Sequence, residues 1–326
     1  MKSKINIAII FIFLFSFLSC ENKSSEPDEE TPPTRQESLP DNAVKITPDT
    51  DAFPPVLHSD EWDEPVPMPG PINTAGVEDS PFISPDGRRF FIFFTPDANA
   101  PAENQIIDGV SGIWWSRKNA GLWSEPERIV LNDDLALDGA HFAQGDTLWF
   151  GSVRLGNYGE IDIYKAYFNG VGWANWENAG RVLNEDYDIG EFHLSADGQS
   201  LYFAADREGG YGGLDIWVTY KDGNGWGEPV NLGAAINSSN DENMPFLTQD
   251  GSELWFTGTS EIGYTGPAVF RSMNLDTGQW SEPEEIVSNI SGEPTLDEEM
   301  NLYFVHIFLD EDFNKIEADI YVAYKK

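Results

Sequence analysis

The sequence predicts an all-β chain, a five-bladed β-propeller closed by an N-terminal outer strand and preceded by a disordered tether. Three observations carry that expectation. An aromatic closing a short apolar triplet recurs as Phe91, Trp149, Tyr202, Trp255 and Tyr303, with about 50 residues between copies. A tryptophan, usually followed by an acid–proline pair, recurs as Trp62, Trp123, Trp173, Trp226 and Trp280. The first of these tryptophans precedes the first triplet, and none follows the last triplet. A ring explains that phase, because an N-terminal segment can then supply the outer strand that the last repeat lacks.

The chain begins with Lys2 and Lys4, then an apolar run from Ile7 to Leu18 that stops at Ser19-Cys20. A basic start, a short apolar stretch and a small residue describe an export signal over 1–19, too short to span a bilayer. Phe17-Leu18-Ser19-Cys20 resembles a bacterial lipoprotein signal, which implies lipidation of Cys20. No second cysteine exists, so no intramolecular disulfide can form and packing must supply the stability. Residues 20–51, with Pro27, Asp28, Glu29, Glu30, Pro32 and Pro33, show no apolar periodicity and are expected to be a disordered, lipidated linker. The folded body is expected over 52–326. The formal net charge of −37 repels phosphate backbones, which argues against a nucleic-acid partner. Such an excess is compatible with a plain solvated surface and with an attraction for cations or basic partners.

Within the body, one repeat shows the unit. Glu191–Ser195 reads as an inner strand, and Asp197-Gly198 as a tight hairpin turn, since glycine accepts a positive φ. Leu201–Ala204 and Asp215–Val218 follow as second and third strands. Trp226–Leu232 closes the unit at an edge, where Pro229 is tolerated. The turn recurs at Asp86-Gly87 and Asp250-Gly251, and the third strand at Ile113-Trp114, Asp162–Tyr164, Val269-Phe270 and Asp319–Tyr321. Eleven residues separate Trp226 from Asn237, Trp173 from Asn184 and Trp62 from Asn73. That shared spacing marks the segment around Trp62 as an outer strand with no inner strands before it.

Pro81–Gly87, Asp206–Trp217 and Trp226–Asn237, followed by Asp241–Phe246, resemble the TolB-type, WD-like propeller repeats of Bacteroidetes envelope proteins. The resemblance covers nearly everything after residue 52, most closely in the third and fourth repeats. It implies a binding module of the cell envelope and says little about chemistry.

Acids stand at the entry to every inner strand: Glu78 and Asp79, Asp138, Glu191, Glu242 and Glu293. Around a channel they could bind a divalent cation or form an acid–base pair; as repeated residues they could equally cap turns. His141 and His193 lie on adjacent inner strands, and His306 ends a second strand, so all three could face one opening. A metal site or simple packing would fit them. Arg154 and Arg207 occupy equivalent places and would suit an anionic ligand, or an ion pair between repeats. Trp114, Trp115 and Trp176 lie outside the tryptophan register and could stack on a sugar or pack at an edge.

No Gly-x-Ser-x-Gly elbow, His-Glu-x-x-His motif or phosphate-cradling loop is present. The leading expectation is therefore a monomeric outer-membrane lipoprotein, facing the periplasm or the cell surface. It would be held to the membrane by its lipid alone, need no cofactor, and bind an envelope protein or glycan. The alternative is a glycoside hydrolase resembling the five-bladed arabinanase-type enzymes, with Asp79, Asp138 and Glu191 as base, tuning acid and proton donor.

Overall fold

The computed structural model describes residues 33–326 except 132–134, 187–188, 190, 224 and 276–278. The export signal over 1–19, Cys20 and the linker as far as residue 32 lie outside the described residues.

The body is all-β apart from short helical turns such as Arg35–Ser38 and Ala102–Gln105. Its strands run as successive antiparallel meanders. Val77–Ile83, Arg89–Thr95 and Gly112–Asn119 form the first, and Ala136–Gln144, Thr147–Arg154, Asp162–Phe168 and Trp173–Asn178 the second. Phe192–Leu194, Ser200–Ala205 and Asp215–Asp222 follow, then Asn243–Leu247, Glu253–Thr259, Pro267–Met273 and Glu284–Ser288. Ser291–Leu296, Leu302–Leu309 and Lys315–Ala323 come last. The hairpin turns require glycine, with φ of +65° at Gly87, +68° at Gly198 and +70° at Gly251.

The leading strands of the meanders touch in cyclic order. Val77–Ile83 meets Ala136–Gln144, which meets Phe192–Leu194, then Asn243–Leu247, then Ser291–Leu296, which returns to Val77–Ile83. The N-terminal strand Val66–Pro67 pairs antiparallel with Lys315–Ala323, placing Val66 opposite Val322 and Pro67 opposite Tyr321. Trp62 bridges to Lys325. Its indole is fully buried and donates to the Met300 carbonyl at 2.8 Å.

An asparagine, Asn73, Asn184 or Asn237, fixes each of three outer segments. The Asn237 side chain accepts from the Ile216 N–H at 2.8 Å and donates to the Ile216 carbonyl at 3.0 Å. Asn184 grips Ile163 in the same way. These are the asparagines that stand eleven residues after a tryptophan.

The segment expected to be a tether as far as residue 51 departs from that expectation after Pro33. Arg35 is buried, donates to the carbonyls of Ile72 and Pro71, and pairs with Glu78 at 3.1 Å. Lys45 pairs with Glu317 and Asp319, and Asp51 with His306. Charge pairing to distant acids holds a segment that has no apolar stripe of its own. Thr34 and Glu37 form a capping box around its one helical turn.

Candidate functional site

Four leading strands carry the same irregularity. Their pairing register slips between Asp79 and Phe82, Gly139 and Phe142, Asn243 and Phe246, and Gly292 and Thr295. Inside each slip one residue that is not glycine adopts a left-handed backbone: Ser80 at φ 49°, Ala140 at 44°, Met244 at 52° and Glu293 at 57°. Each such residue costs roughly 1–3 kcal/mol, and such outliers gather where a binding or reactive surface must be shaped. All four line one cavity of about 70 Å³.

The remaining wall is aromatic and imidazole, with Phe82, Phe142, Phe192 and Phe246 beside His141 and His193. The His193 ring lies 4.7 Å from Phe246 and 5.1 Å from Phe142, centroid to centroid. Its Nδ1 accepts from the Leu247 N–H at 3.1 Å. Burial lowers the pKa of His193 and of His141 to about 3, so both rings are neutral near neutral pH. Neither nitrogen of His141 makes a hydrogen bond of normal geometry, although the backbone of Phe91 weakly favours its charged form.

Carboxylates converge at this cavity. Glu191 and Glu293 line it, and Asp79 sits beside Ser80. The Ser80 N–H donates to Glu293 Oε2 at 2.6 Å. Burial, reinforced by the charge of Asp79, raises the Glu293 pKa to about 8. Burial raises that of Asp79 as well, against the attraction of Lys315, whose Nζ lies 3.8 Å from Asp79 Oδ2. Among the described residues no group of three or more His, Cys, Asp or Glu is placed to hold a metal ion.

The other expected site residues are engaged elsewhere. Asp138 is buried, accepting from Ser152 Oγ and pairing with Arg154, each at 2.6 Å. The Arg154 guanidinium stacks between Tyr164 and Trp176, 4.5 and 4.4 Å from their rings, so it is not offered to a ligand. The Arg207 guanidinium lies over Trp217 at 5.6 Å. Glu242 accepts from the Ser238 N–H and Oγ, as Glu78 does from Thr74, and so closes a turn. His306 faces no opening; it is fully buried between Phe308 and Tyr321 and bonded to Asp51 at 2.8 Å. Trp114 and Trp115 are buried, and of the three tryptophans outside the register only Trp176 is exposed.

Sequence reasoning thus reached Asp79, His141, Glu191, His193 and Glu293. It missed Lys315, the left-handed positions and the phenylalanine wall. Proline two residues after Asp79, Asn243 and Gly292 was an available sign of the distortion, since proline cannot donate to a strand ladder.

No family model and no curated protein matches the chain. Similar solved structures include a putative TolB from Agrobacterium tumefaciens, at 16% identity over 77% of this chain and 90% of that one, with a TM-score of 0.44. TolB from Acinetobacter baumannii is 14% identical over 78% of this chain and 55% of that one, with a TM-score of 0.42. The α-L-arabinofuranosidase of Podospora anserina is 12% identical over 82% and 97% respectively, with a TM-score of 0.43. Among the described residues no helix is long and apolar enough to cross a membrane.

Proposed function

We propose that the chain is an envelope-anchored binding module: a five-bladed ring closed by its N-terminal strand and tethered through a lipidated Cys20. It captures a partner at the cavity where the leading strands converge. The cyclic order of those strands and the pairing of Val66 with Val322 support the ring. Binding rather than catalysis rests on one observation, the locking of Asp138 to Arg154. That pair offsets the charge of the middle acid in the Asp79–Asp138–Glu191 arrangement, which weakens its pull on a proton donor. The module works as a monomer, without a cofactor, at the outer membrane.

The test is selection of peptides and glycans on the exported domain, followed by Glu191→Gln and His193→Phe. Ligands that bind the parent and lose affinity in both variants support the reading; ligands indifferent to both overturn it. A second reading, glycoside hydrolysis, is favoured by Glu293 alone, a carboxyl held protonated beside other acids. Reducing sugar released from a polysaccharide, and abolished by Glu191→Gln, would establish that reading instead. For the anchor, Cys20→Ser should move the protein into the soluble fraction, and unchanged membrane association would refute lipidation.

A further inference from the structure

Glu191 and Glu293 line one cavity from two different repeats, and Asp79, next to the lining residue Ser80, pairs with Lys315 at 3.8 Å. Acids alone would say little, since repeats recruit them for turns. Here a second observation stands beside them. His141 lines the same cavity, is more than nine-tenths buried, and leaves both ring nitrogens without a hydrogen bond of normal geometry. With the Phe91 backbone as the one contact that favours a ring N–H, the acceptor nitrogen of the neutral imidazole still carries a desolvation penalty unless a donor in the cavity meets it. Asn243, preceding the cavity residue Met244, likewise has a buried side-chain oxygen with no partner.

We infer that the cavity receives a primary alkylammonium, the head of a lysine side chain or an amino terminus on a partner protein. This rests on the binding reading above and names its ligand chemistry. The cavity, about 70 Å³, has room for an ammonium and its first methylenes. Phenylalanine faces at Phe82, Phe142, Phe192 and Phe246 suit a cation carried on an apolar stem. A hard divalent cation would instead demand a close shell of oxygens, which walls of phenylalanine and proline do not supply. Carboxylates from three repeats match the three diverging donors of an ammonium better than the flat fork of a guanidinium. Burial, reinforced by the charges of Asp79 and Glu191, holds Glu293 protonated, and an arriving cation relieves the repulsive part. A formal charge of −37 draws basic partners from a distance.

Calorimetry on the exported domain tests this with Nα-acetyl-lysine-N-methylamide for the side chain and leucine-N-methylamide for the amino terminus. Nα-acetyl-norleucine-N-methylamide serves as the neutral control, beside the arginine analogue and calcium chloride. We expect one or both ammonium probes to bind and norleucine to fail, with Glu293→Gln weakening binding about tenfold. The decisive variant is Lys315→Met: removing a competing cation should tighten ammonium binding about threefold, a gain that misfolding cannot produce. Whichever ammonium probe responds identifies the source. Equal binding of norleucine, preference for calcium or guanidinium, or no gain on Lys315→Met overturns the proposal. If both ammonium probes fail while selected ligands still depend on Glu191 and His193, only the ligand chemistry falls and the binding reading stands.

Discussion

The side chain of Asn73 grips the backbone of Ile320, accepting from its N–H at 3.0 Å and donating to its carbonyl at 2.9 Å. It joins residues from opposite ends of the body in the manner that Asn184 and Asn237 join neighbours within one repeat. Replacing Asn73 with alanine leaves two backbone groups without these partners, at a cost of about 1–3 kcal/mol. Urea denaturation should show a lower midpoint with an unchanged slope. An unmoved midpoint would mean that the amide does not tie the two ends together.

That grip was legible because an amide that replaces ladder hydrogen bonds must keep its distance from the strand it serves. Trp62 and Asn73 therefore reproduce the spacing of Trp226 and Asn237. His141, Glu191, His193 and Glu293 were legible for the related reason that aligned strands place equivalent residues at one level. Partner choice was not legible. Nothing in the residues around Asp138 says that Arg154, one strand over, folds back to neutralise it, and the reach of Arg35 to Glu78 crosses a stretch with no periodicity. His306 has the position expected of a site residue, but its ring lies on the buried side of its strand, against Phe308 and Tyr321.

The buried Asp138–Arg154 pair makes a sharp stability prediction. Asp138→Ala leaves a guanidinium uncompensated in a buried setting and should cost about 3–5 kcal/mol, whereas exchanging both partners for apolar residues should recover most of the loss. The pair Asp138→Leu with Arg154→Met, compared with each single variant by denaturant unfolding, measures this. A double variant as unstable as Asp138→Ala would show that charge pairing is not what holds the site.

The segment from Pro33 to Asp51 should behave as part of the fold. A chain starting at Ala52 loses the charged partners of Glu78, Glu317, Asp319 and His306, and at Glu78 alone a buried carboxylate left with only its Thr74 hydrogen bonds should cost about 3 kcal/mol. Burial already raises the Glu78 pKa to about 7 despite Arg35, so below that pH the acid without its guanidinium can protonate and the loss should shrink. Unfolding of the two chain lengths at pH 5 and pH 8 checks both statements. Equal stability at pH 8 would return this segment to the status of a tether.

The pH dependence of stability follows from opposite groups in one body. His141 and His193 titrate near 3 when folded against 6.5 when unfolded, so the unfolded chain binds more protons in that window. Their contribution is therefore present above pH 6.5 and lost as pH falls toward 3. Glu293 and Asp319 titrate near 8 and Glu78 near 7 when folded, so the native chain holds the extra protons and these groups lower stability as pH rises from about 4 to 8. The two sets oppose one another between about 4 and 6.5, and only the carboxyls act above that. Stability should thus decline from pH 6.5 to 8, by at most about 1.4 kcal/mol per unit for each titrating group. His141→Leu should flatten the acid limb and leave the alkaline decline untouched, while Glu293→Gln should flatten the alkaline decline and, by removing an opposing slope, steepen the acid limb. Urea midpoints for the parent and both variants across pH 4 to 8 decide it, and an acid limb unchanged by His141→Leu would show that this imidazole is not held neutral by burial.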